Sequence, residues 1–281
     1  MEREEVGPPQ HGKSRRKRRL FQVPMPWGHA SSGHTKTYME NISKPATESQ
    51  ASFDYKPKQI EWLQLCLSPE RLNPYYAQAR GSDWVALHLY IRNTEISASL
   101  YGVIQALEVG LRNVVHAKMT EAFGTEEWWD RLPLHDEEMN DIAEAKENIS
   151  SRIKQVRPGR IVAELGFGFW VKLFANSYEK QLWVPYLSRR FPAKLSRKAL
   201  QERLTNLKEL RNRIAHHETL IKRDTNQDYQ DLLETIGWIS PTLRRWVEHY
   251  TDFPAVNERR IPKEPKPPPP EQATAGGAGP K

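Results

Sequence analysis

Residues 207–218 read LKELRNRIAHHE, a stretch that combines an apolar repeat with a dense polar cluster. Five apolar residues recur in and just before it at gaps of four, three, three and four, the periodicity of an amphipathic helix. These residues are Leu200, Leu204, Leu207, Leu210 and Ile214. Two arginines, an asparagine, two histidines and a glutamate fall between Arg211 and Glu218. The pattern predicts a helix from Ser196 to about His217, with leucines in a core and a polar site at or near its end.

Helical spacing also extends toward the N-terminus. Apolar residues predict a short helix before Pro69 and a second helix that Ser68 caps, with Pro69 at its first position. From Trp84 to Phe123 the apolar residues again recur at helical gaps, and we expect two long helices there with a break near Asn93 and Thr94.

Toward the C-terminus, the sequence predicts three further helical or core segments. Residues 135–157 are rich in charge and predict a largely solvent-facing helix, whereas residues 161–186 are rich in aromatic side chains and predict core. A last helical region covers residues 228–250, with Pro241 inside it or breaking it. Because no strand pattern is evident, the sequence predicts an all-α helical bundle.

Composition divides the chain into three parts. Residues 1–56 are rich in Pro, Gly, Ser and Thr and contain the basic run Arg15–Arg19, so we expect a disordered basic extension. Residues 57–252 form the expected helical domain. Residues 253–281 contain four consecutive prolines and a Gly/Ala-rich end, and we expect a disordered Pro-rich tail.

The single cysteine and the absence of a long apolar run limit the classes of protein. Cys66 cannot form an internal disulfide or a Cys-rich zinc site, which is consistent with a reducing, cytoplasmic location. The longest apolar run, residues 84–91, is far too short for a membrane span. We therefore expect no membrane contact.

Charge is distributed unevenly within the expected helical domain. Residues 121–147 carry ten acidic and two basic residues, whereas residues 152–213 carry fifteen basic and four acidic residues. Such a basic region suits a phosphate backbone. It is equally consistent with a solvated face that the acidic region balances, and charge alone does not decide between the two.

The polar cluster at Arg211–His216 has the side chains needed for cleavage of a phosphodiester. Histidine transfers protons near neutral pH, and the arginine guanidinium fits phosphate oxygens. No Asp, Glu or His cluster with metal-ligand spacing lies nearby. This set suits metal-free attack by an internal nucleophile, which RNA supplies as its 2′-hydroxyl. The alternative is a solvated Arg/His face without chemistry.

Helix geometry restricts how this cluster can work. Arg211 and His216 are five residues apart, so their side chains diverge by about 140° on an ideal helix. They can serve one ligand if the helix is distorted, if it ends near His216, or if a second subunit completes the site.

A second polar row lies within the apolar region 104–116. Glu108, Arg112 and His116 are spaced four apart and share one helix face. Charges on a buried helix need partners. One interpretation is a Glu108–Arg112 ion pair; the other is that the row faces the Arg211/His216 pocket, where Glu108 orients an arginine.

Several segments together resemble the Abi-like (abortive infection) family of the HEPN superfamily. Its hallmark is an arginine, often followed by a polar residue, and a histidine four to six positions on, which Arg211-Asn212 and His216 match. Three further segments match in the same order. They are Ala86–Tyr90 leading to Leu107–Asn113, then Trp128-Trp129, then Leu165–Trp170 leading to Tyr178–Trp183.

The resemblance implies a HEPN-like bundle that forms a homodimer with a composite active site. It implies a metal-independent endoribonuclease without a cofactor, acting in phage defence or as a toxin, with RNA as substrate and an antitoxin protein as a further partner. Arg211 and His216 would be catalytic. The supporting residues would be Asn212, Glu108, Arg112 and His217, and in the basic region we expect RNA to contact Arg213, Arg197 and Lys198.

Two other functions are consistent with the same residues. The helical module could bind or sense RNA without cleaving it, with Arg211 and His216 gripping the strand. It could also be a protein-interaction bundle in which the Arg/His face is structural.

Overall fold

The structure is a computed structural model that describes residues 53, 55–152 and 155–264. Within these residues there are ten α-helices and no strand, so the predicted all-α fold is confirmed. The helices are α1 Pro57–Leu67, α2 Pro69–Ala79, α3 Asp83–Phe123, α4 Asp136–Ser150, α5 Pro158–Glu164, α6 Phe167–Lys172, α7 Arg197–Ala215, α8 Thr225–Ile239, α9 Pro241–Tyr250 and α10 Phe253–Glu258. Short 3₁₀ turns lie at Trp128–Asp130, Asn176–Tyr178 and Ser188–Arg190, and a π-helix spans Glu179–Leu187.

Helix α3 is the axis of the bundle. It has 41 residues, which is about 60 Å at 1.5 Å per residue, and it contacts α2 and every helix from α5 to α10. The Ser82 hydroxyl accepts a hydrogen bond from the Val85 amide at 3.1 Å at its start. At its end Gly124 adopts φ +68° and its amide donates to the Thr120 carbonyl at 2.9 Å. Local capping chemistry therefore sets both ends.

The expected break near Asn93 and Thr94 is wrong, because α3 is continuous there. The Thr94 hydroxyl donates to the Tyr90 carbonyl at 3.2 Å, within the same helix. The Asn93 side chain accepts a hydrogen bond from the Leu220 amide at 2.7 Å. Both polar side chains thus find partners without leaving the helical path.

Helix α4 ends at Ser150 rather than near Arg157, so the predicted charged helix is shorter than expected. The hydroxyl of Ser150 donates to the Glu147 carbonyl and that of Ser151 to the Asn148 carbonyl, both at 2.9 Å. These serines bond to the carbonyl oxygens that face the next helical turn, which favours a helix end.

The core forms where the sequence predicted it. The four leucines of the α7 repeat are at most 1% exposed, and Ile214 is 6% exposed. The predicted aromatic segment is buried as well, through Phe167, Phe169, Trp170, Phe174, Tyr178 and Trp183. Truncating one such leucine to alanine typically costs about 2–5 kcal/mol. This apolar face fixes how α7 presents its polar end.

Pro241 divides the last predicted helical region into α8 and α9. Beyond α9, helix α10 lies where we expected the Pro-rich tail to begin. That boundary is wrong because Phe253 and Val256, which share a helix face, are buried at 1% and 4% exposure. Phe253 stacks on Tyr229 with ring centroids 4.5 Å apart.

The predicted tails otherwise lie mostly outside the described residues, which omit 1–52, 54 and 265–281. All ten helices belong to one unit that begins at Asp54. In the part of the chain that the structure describes, no helix has both the length and the apolar character to span a bilayer.

Candidate functional site

The polar end of α7 is a helix terminus with a defined hydrogen-bond pattern. The helix ends at Ala215, and His216 is its capping residue. The His217 amide donates to the Ile214 carbonyl at 3.1 Å, and the Glu218 amide donates to the Arg213 carbonyl at 2.7 Å. Together these bonds make a Schellman motif. Of the three conditions considered for the Arg211/His216 pair, a helix that ends near His216 is observed, and both histidines are exposed.

His217 occupies the position of that motif that glycine usually takes. Its φ is +56°, in the left-handed region. A side chain there costs roughly 1–2 kcal/mol, although histidine is more frequent in this region than most residues. The left-handed residue turns the chain sharply after His216.

Arg211 is held by a carboxylate on α3. Its Nε donates to Oε1 of Glu108 at 2.8 Å, and the two side chains are 35% and 25% exposed. Its Nη1 makes a longer contact of 3.5 Å with Oδ1 of Asn212. A guanidinium has five N–H donors, so most of its donors stay free of strong protein partners. The expectation that Glu108 orients an arginine of the motif is confirmed.

The rest of the polar row on α3 does not join this contact. No Glu108–Arg112 ion pair occurs among the described residues. Arg112 instead donates through Nη1 to the Ala163 carbonyl at 3.3 Å, and its Nε is buried without a partner in the described part of the chain. Arg112 therefore packs against α5 rather than supporting Arg211 directly.

His116, one turn further on, is partly buried and contacts a core tryptophan. Its Nδ1 accepts a hydrogen bond from Nε1 of Trp128 at 3.1 Å. Because an indole N–H can only donate, Nδ1 must be unprotonated and the ring is neutral. Burial lowers the pKa of His116, and the charge of Glu126 opposes that shift. This histidine is structural.

Arg197 is also structural, and its predicted contact with RNA is wrong. Its side chain is 8% exposed. Nε donates to Glu179 at 3.1 Å, Nη1 to the Phe174 carbonyl at 2.8 Å and to Gln201 at 2.7 Å, and Nη2 to Asn176 at 3.0 Å. The protein thus uses nearly the whole hydrogen-bonding capacity of this guanidinium.

The two other predicted RNA contacts lie on the surface. The Lys198 side chain is 77% exposed, and its Nζ lies 3.8 Å from Oε1 of Glu202. The Arg213 side chain is 46% exposed, and its Nη1 lies 3.4 Å from Oε2 of Glu218. Asn212 is exposed as well. These three side chains are accessible to a ligand, although Lys198 lies at the opposite end of α7 from the motif.

Local ion pairs reduce the charge excess of residues 152–213. At least seven of its fifteen basic residues have a carboxylate within 4.0 Å, namely Arg152, Lys172, Arg197, Lys198, Arg203, Arg211 and Arg213. Three of these carboxylates, on Glu164, Glu179 and Glu202, belong to the same region and are already counted in the excess, so only the other four pairs reduce it. Only Lys172 among these seven pairs with the acidic region 121–147, through Glu137 and Asp141. The excess of basic over acidic residues in this region therefore overstates the positive electrostatic field at the site.

Sequence reasoning missed two residues that shape the end of α7. Arg71 of α2 donates through Nη1 to the His217 carbonyl. Asn93 of α3 accepts from the Leu220 amide at 2.7 Å and donates to the Glu218 carbonyl at 3.5 Å. The partners are more than 120 residues apart in the chain, so no local pattern could indicate them.

An apolar groove of about 670 Å³ lies between α3 and α9. Trp246 and Tyr250 line it and are 59% and 69% exposed. It includes Ala106 and Gly110, each two positions from Glu108, and residues two apart lie on nearly opposite sides of a helix. The groove is therefore separate from the Arg211 site.

A scan of family models, a search of curated proteins and a search of solved structures each returned no match. The HEPN resemblance therefore rests on the quoted segments. Among the described residues, no group of three or more His, Cys, Asp or Glu side chains is placed to hold a metal ion.

Proposed function

We propose that this chain is a metal-independent endoribonuclease that cleaves RNA through attack by the 2′-hydroxyl. The observation that carries the proposal is the half-exposed Arg211, oriented by Glu108 at 2.8 Å with most donors free. An arginine held in this way is preorganised for a phosphate, because its orientation is fixed before the ligand arrives. Exposed His216 lies at the adjoining helix end and supplies a group for proton transfer.

The proposed reaction needs only these two groups and the RNA. The 2′-oxygen forms a bond to phosphorus while the bond from phosphorus to the 5′-oxygen breaks. His216 assists by taking the 2′-hydroxyl proton or by giving a proton to the leaving oxygen. Arg211 binds the phosphate oxygens and stabilises the charge that builds in the transition state. The products of this step end in a 2′,3′-cyclic phosphate and a 5′-hydroxyl, and attack by water in a separate step opens the cyclic phosphate to a phosphomonoester.

We propose that a second copy of the chain completes the site. Arg211 points toward α3, where Glu108 holds it. Although α7 ends at Ala215, the His216 amide still donates to the Asn212 carbonyl at 2.9 Å, so the helical offset of about 140° between Arg211 and His216 still applies. A two-fold partner would bring His216 of one copy to Arg211 of the other. A role in phage defence and an antitoxin partner are proposals from the resemblance alone.

The alternative is a module that binds RNA without cleaving it. The divergence of Arg211 and His216 within one chain favours it, because a single copy then offers phosphate contacts but no assembled acid–base pair. Binding and cleavage must therefore be measured separately.

The test is incubation of the purified full chain with mixed RNA, with and without EDTA. We expect cleavage that EDTA leaves unchanged and that His216→Ala lowers by about 10²–10⁴-fold. His249→Ala, which changes an exposed histidine on α9, is the matched control and should cleave normally. Unchanged cleavage by the His216 variant, or loss of activity in EDTA, would contradict the mechanism. RNA binding without cleavage would support the alternative.

A further inference from the structure

A cavity of about 350 Å³ lies between α2 and the end of α7, beside the proposed catalytic histidine. Arg71 lines it from α2, and Arg213 and His217 line it from the end of α7. Arg213 and His217 are four residues apart and flank His216 in the chain. Two guanidinium groups from different helices thus meet in one concave space next to the motif.

The walls of this cavity are fixed by the protein. Tyr75 and Thr219 line it, and Tyr75 is 1% exposed. The Schellman bonds hold the backbone at His217, and Asn93 holds the amide of Leu220 at 2.7 Å. Arg71 uses one donor on the His217 carbonyl, which sets the direction of its guanidinium and leaves other donors free. A guanidinium fork held in this way, with that of Arg213 beside it, suits phosphate oxygens.

The two carboxylates at the cavity differ in what they can do. The backbone amide of Glu70 and the Ser68 hydroxyl lower the pKa of Glu70, so its charge is directed at the start of α2. Glu218 instead lies 3.4 Å from Nη1 of Arg213, and both side chains are about half exposed. An exposed pair of this kind contributes little to stability and is easily exchanged. Its carboxylate occupies the position that a phosphate oxygen would take.

We propose that this cavity binds an RNA phosphate flanking the scissile one through Arg71 and Arg213, and that Glu218 occupies Arg213 until RNA displaces it. The inference rests on the proposed function for its choice of RNA as the ligand. In this proposal Arg71 and Arg213 bind RNA, and the Glu218 carboxylate competes with RNA for Arg213. Removal of an arginine should therefore lower the affinity for RNA, and removal of the Glu218 charge should raise it.

The experiment measures binding of a fluorescein-labelled 2′-O-methyl oligouridine of 12 nucleotides, which cannot be cleaved by 2′-hydroxyl attack. We expect Arg71→Ala to weaken binding about tenfold and to lower the salt dependence by about one counterion. Glu218→Gln should strengthen binding several-fold, since one competing charge is lost. Arg71→Lys keeps the charge but not the fork, and it should fall between wild type and Arg71→Ala.

The Arg244–Glu248 pair on α9 provides matched controls for Arg213–Glu218. Nε of Arg244 lies 3.0 Å from Oε1 of Glu248, and the side chains of the two pairs are similarly exposed. Arg244→Ala and Glu248→Gln should leave binding unchanged. If the two control variants changed RNA binding as much as Arg71→Ala and Glu218→Gln do, the effects would reflect net charge alone and the proposal would be wrong. Melting temperatures of all variants identify any loss of folding.

Two further arms define the ligand and separate this inference from the proposed function. Uridine monophosphate at millimolar concentration should not compete; if it does, while Arg71→Ala leaves oligouridine binding unchanged, the cavity binds a mononucleotide and the proposal is wrong. Cleavage assays should show a raised KM and an unchanged kcat for Arg71→Ala. If wild type binds but never cleaves, the opposite binding effects at Arg71 and Glu218 still support the cavity while the nuclease proposal fails.

Discussion

Arg197 and Arg211 lie at opposite ends of α7 and show how differently one helix can use the same residue type. Arg197 is 8% exposed and makes four hydrogen bonds to side chains and backbone. Arg211 is 35% exposed and has one strong partner, Glu108. An arginine whose donors are used by the protein stabilises the fold, whereas one that is oriented but unsaturated is available to a ligand.

The histidines repeat the contrast. His116 is partly buried and its Nδ1 accepts a hydrogen bond from Trp128, whereas His216 is exposed at the helix end. Arg197 and His116 are thus engaged by the protein, whereas Arg211 and His216 are open to a ligand. The difference predicts which substitutions change stability and which change activity.

The largest expected effect is on activity at the open arginine. Arg211→Ala should lower RNA cleavage by about 10²–10³-fold, because a preorganised donor to the transition state is lost. Its melting temperature should change little, since a half-exposed ion pair is worth about 1 kcal/mol or less. Gel-based cleavage and thermal unfolding measure the two quantities. Arg244→Ala, which also removes a glutamate-paired surface arginine, should change neither.

At the saturated arginine the effect should be on stability. Arg197→Ala should lower the free energy of unfolding by about 3 kcal/mol, because it leaves the buried Phe174 carbonyl and Glu179 without their charged donor. Denaturant unfolding measures the change. Lys198→Ala, at the next position and 77% exposed, should stay within about 0.5 kcal/mol. A small loss at Arg197 would remove the distinction between the two arginines.

The partly buried His116 should make stability depend on pH. Burial lowers the pKa of His116 in the folded state, so below about pH 6.5 the unfolded chain binds the proton more readily. The contribution of neutral His116 to the free energy of unfolding is full above that pH. It is lost as the pH falls through the pKa of His116 in the folded state. His116→Gln, whose amide oxygen can still accept from Trp128, should flatten this part of the curve between pH 7 and 5. His249→Gln should keep the wild-type slope.

The smallest effect should come from His217, whose contribution we attribute to its backbone. His217→Gly should stabilise the chain by less than about 1 kcal/mol, because relief of the left-handed conformation is partly offset by the flexibility of glycine when unfolded. Cleavage should be unchanged, since the carbonyl that Arg71 contacts remains. A marked loss of cleavage would instead give the His217 imidazole a role in the site.

Features with a local cause could be predicted from the sequence. The leucine repeat predicted α7, and short-range chemistry predicted the Ser68 cap and the break at Pro241. These depend on residues within one or two turns of each other. The motif itself, and an arginine oriented by Glu108, could also be inferred, because buried charges need partners.

Features that depend on distant partners could not be predicted. The continuity of α3 at Asn93 is tied to a loop 127 residues away, and Arg71 meets His217 across 146 residues. Arg197 resembled a surface cation because nothing near it in the chain indicates that the Phe174 carbonyl and Asn176 surround it. Charge counting could not separate a saturated arginine from an open one.

The separation of Arg71, Glu108 and the α7 end along the chain also affects how the site is made. Glu108 and Arg211 are 103 residues apart, and a contact between residues so distant in the chain requires closure of a long loop. During synthesis, Arg71 and Glu108 leave the ribosome well before the partners that orient them, and a chain that stops before Arg211 has no motif at all. The oriented arginine is therefore absent from nascent chains and truncated products that end before Arg211, and it forms only when synthesis has passed α7.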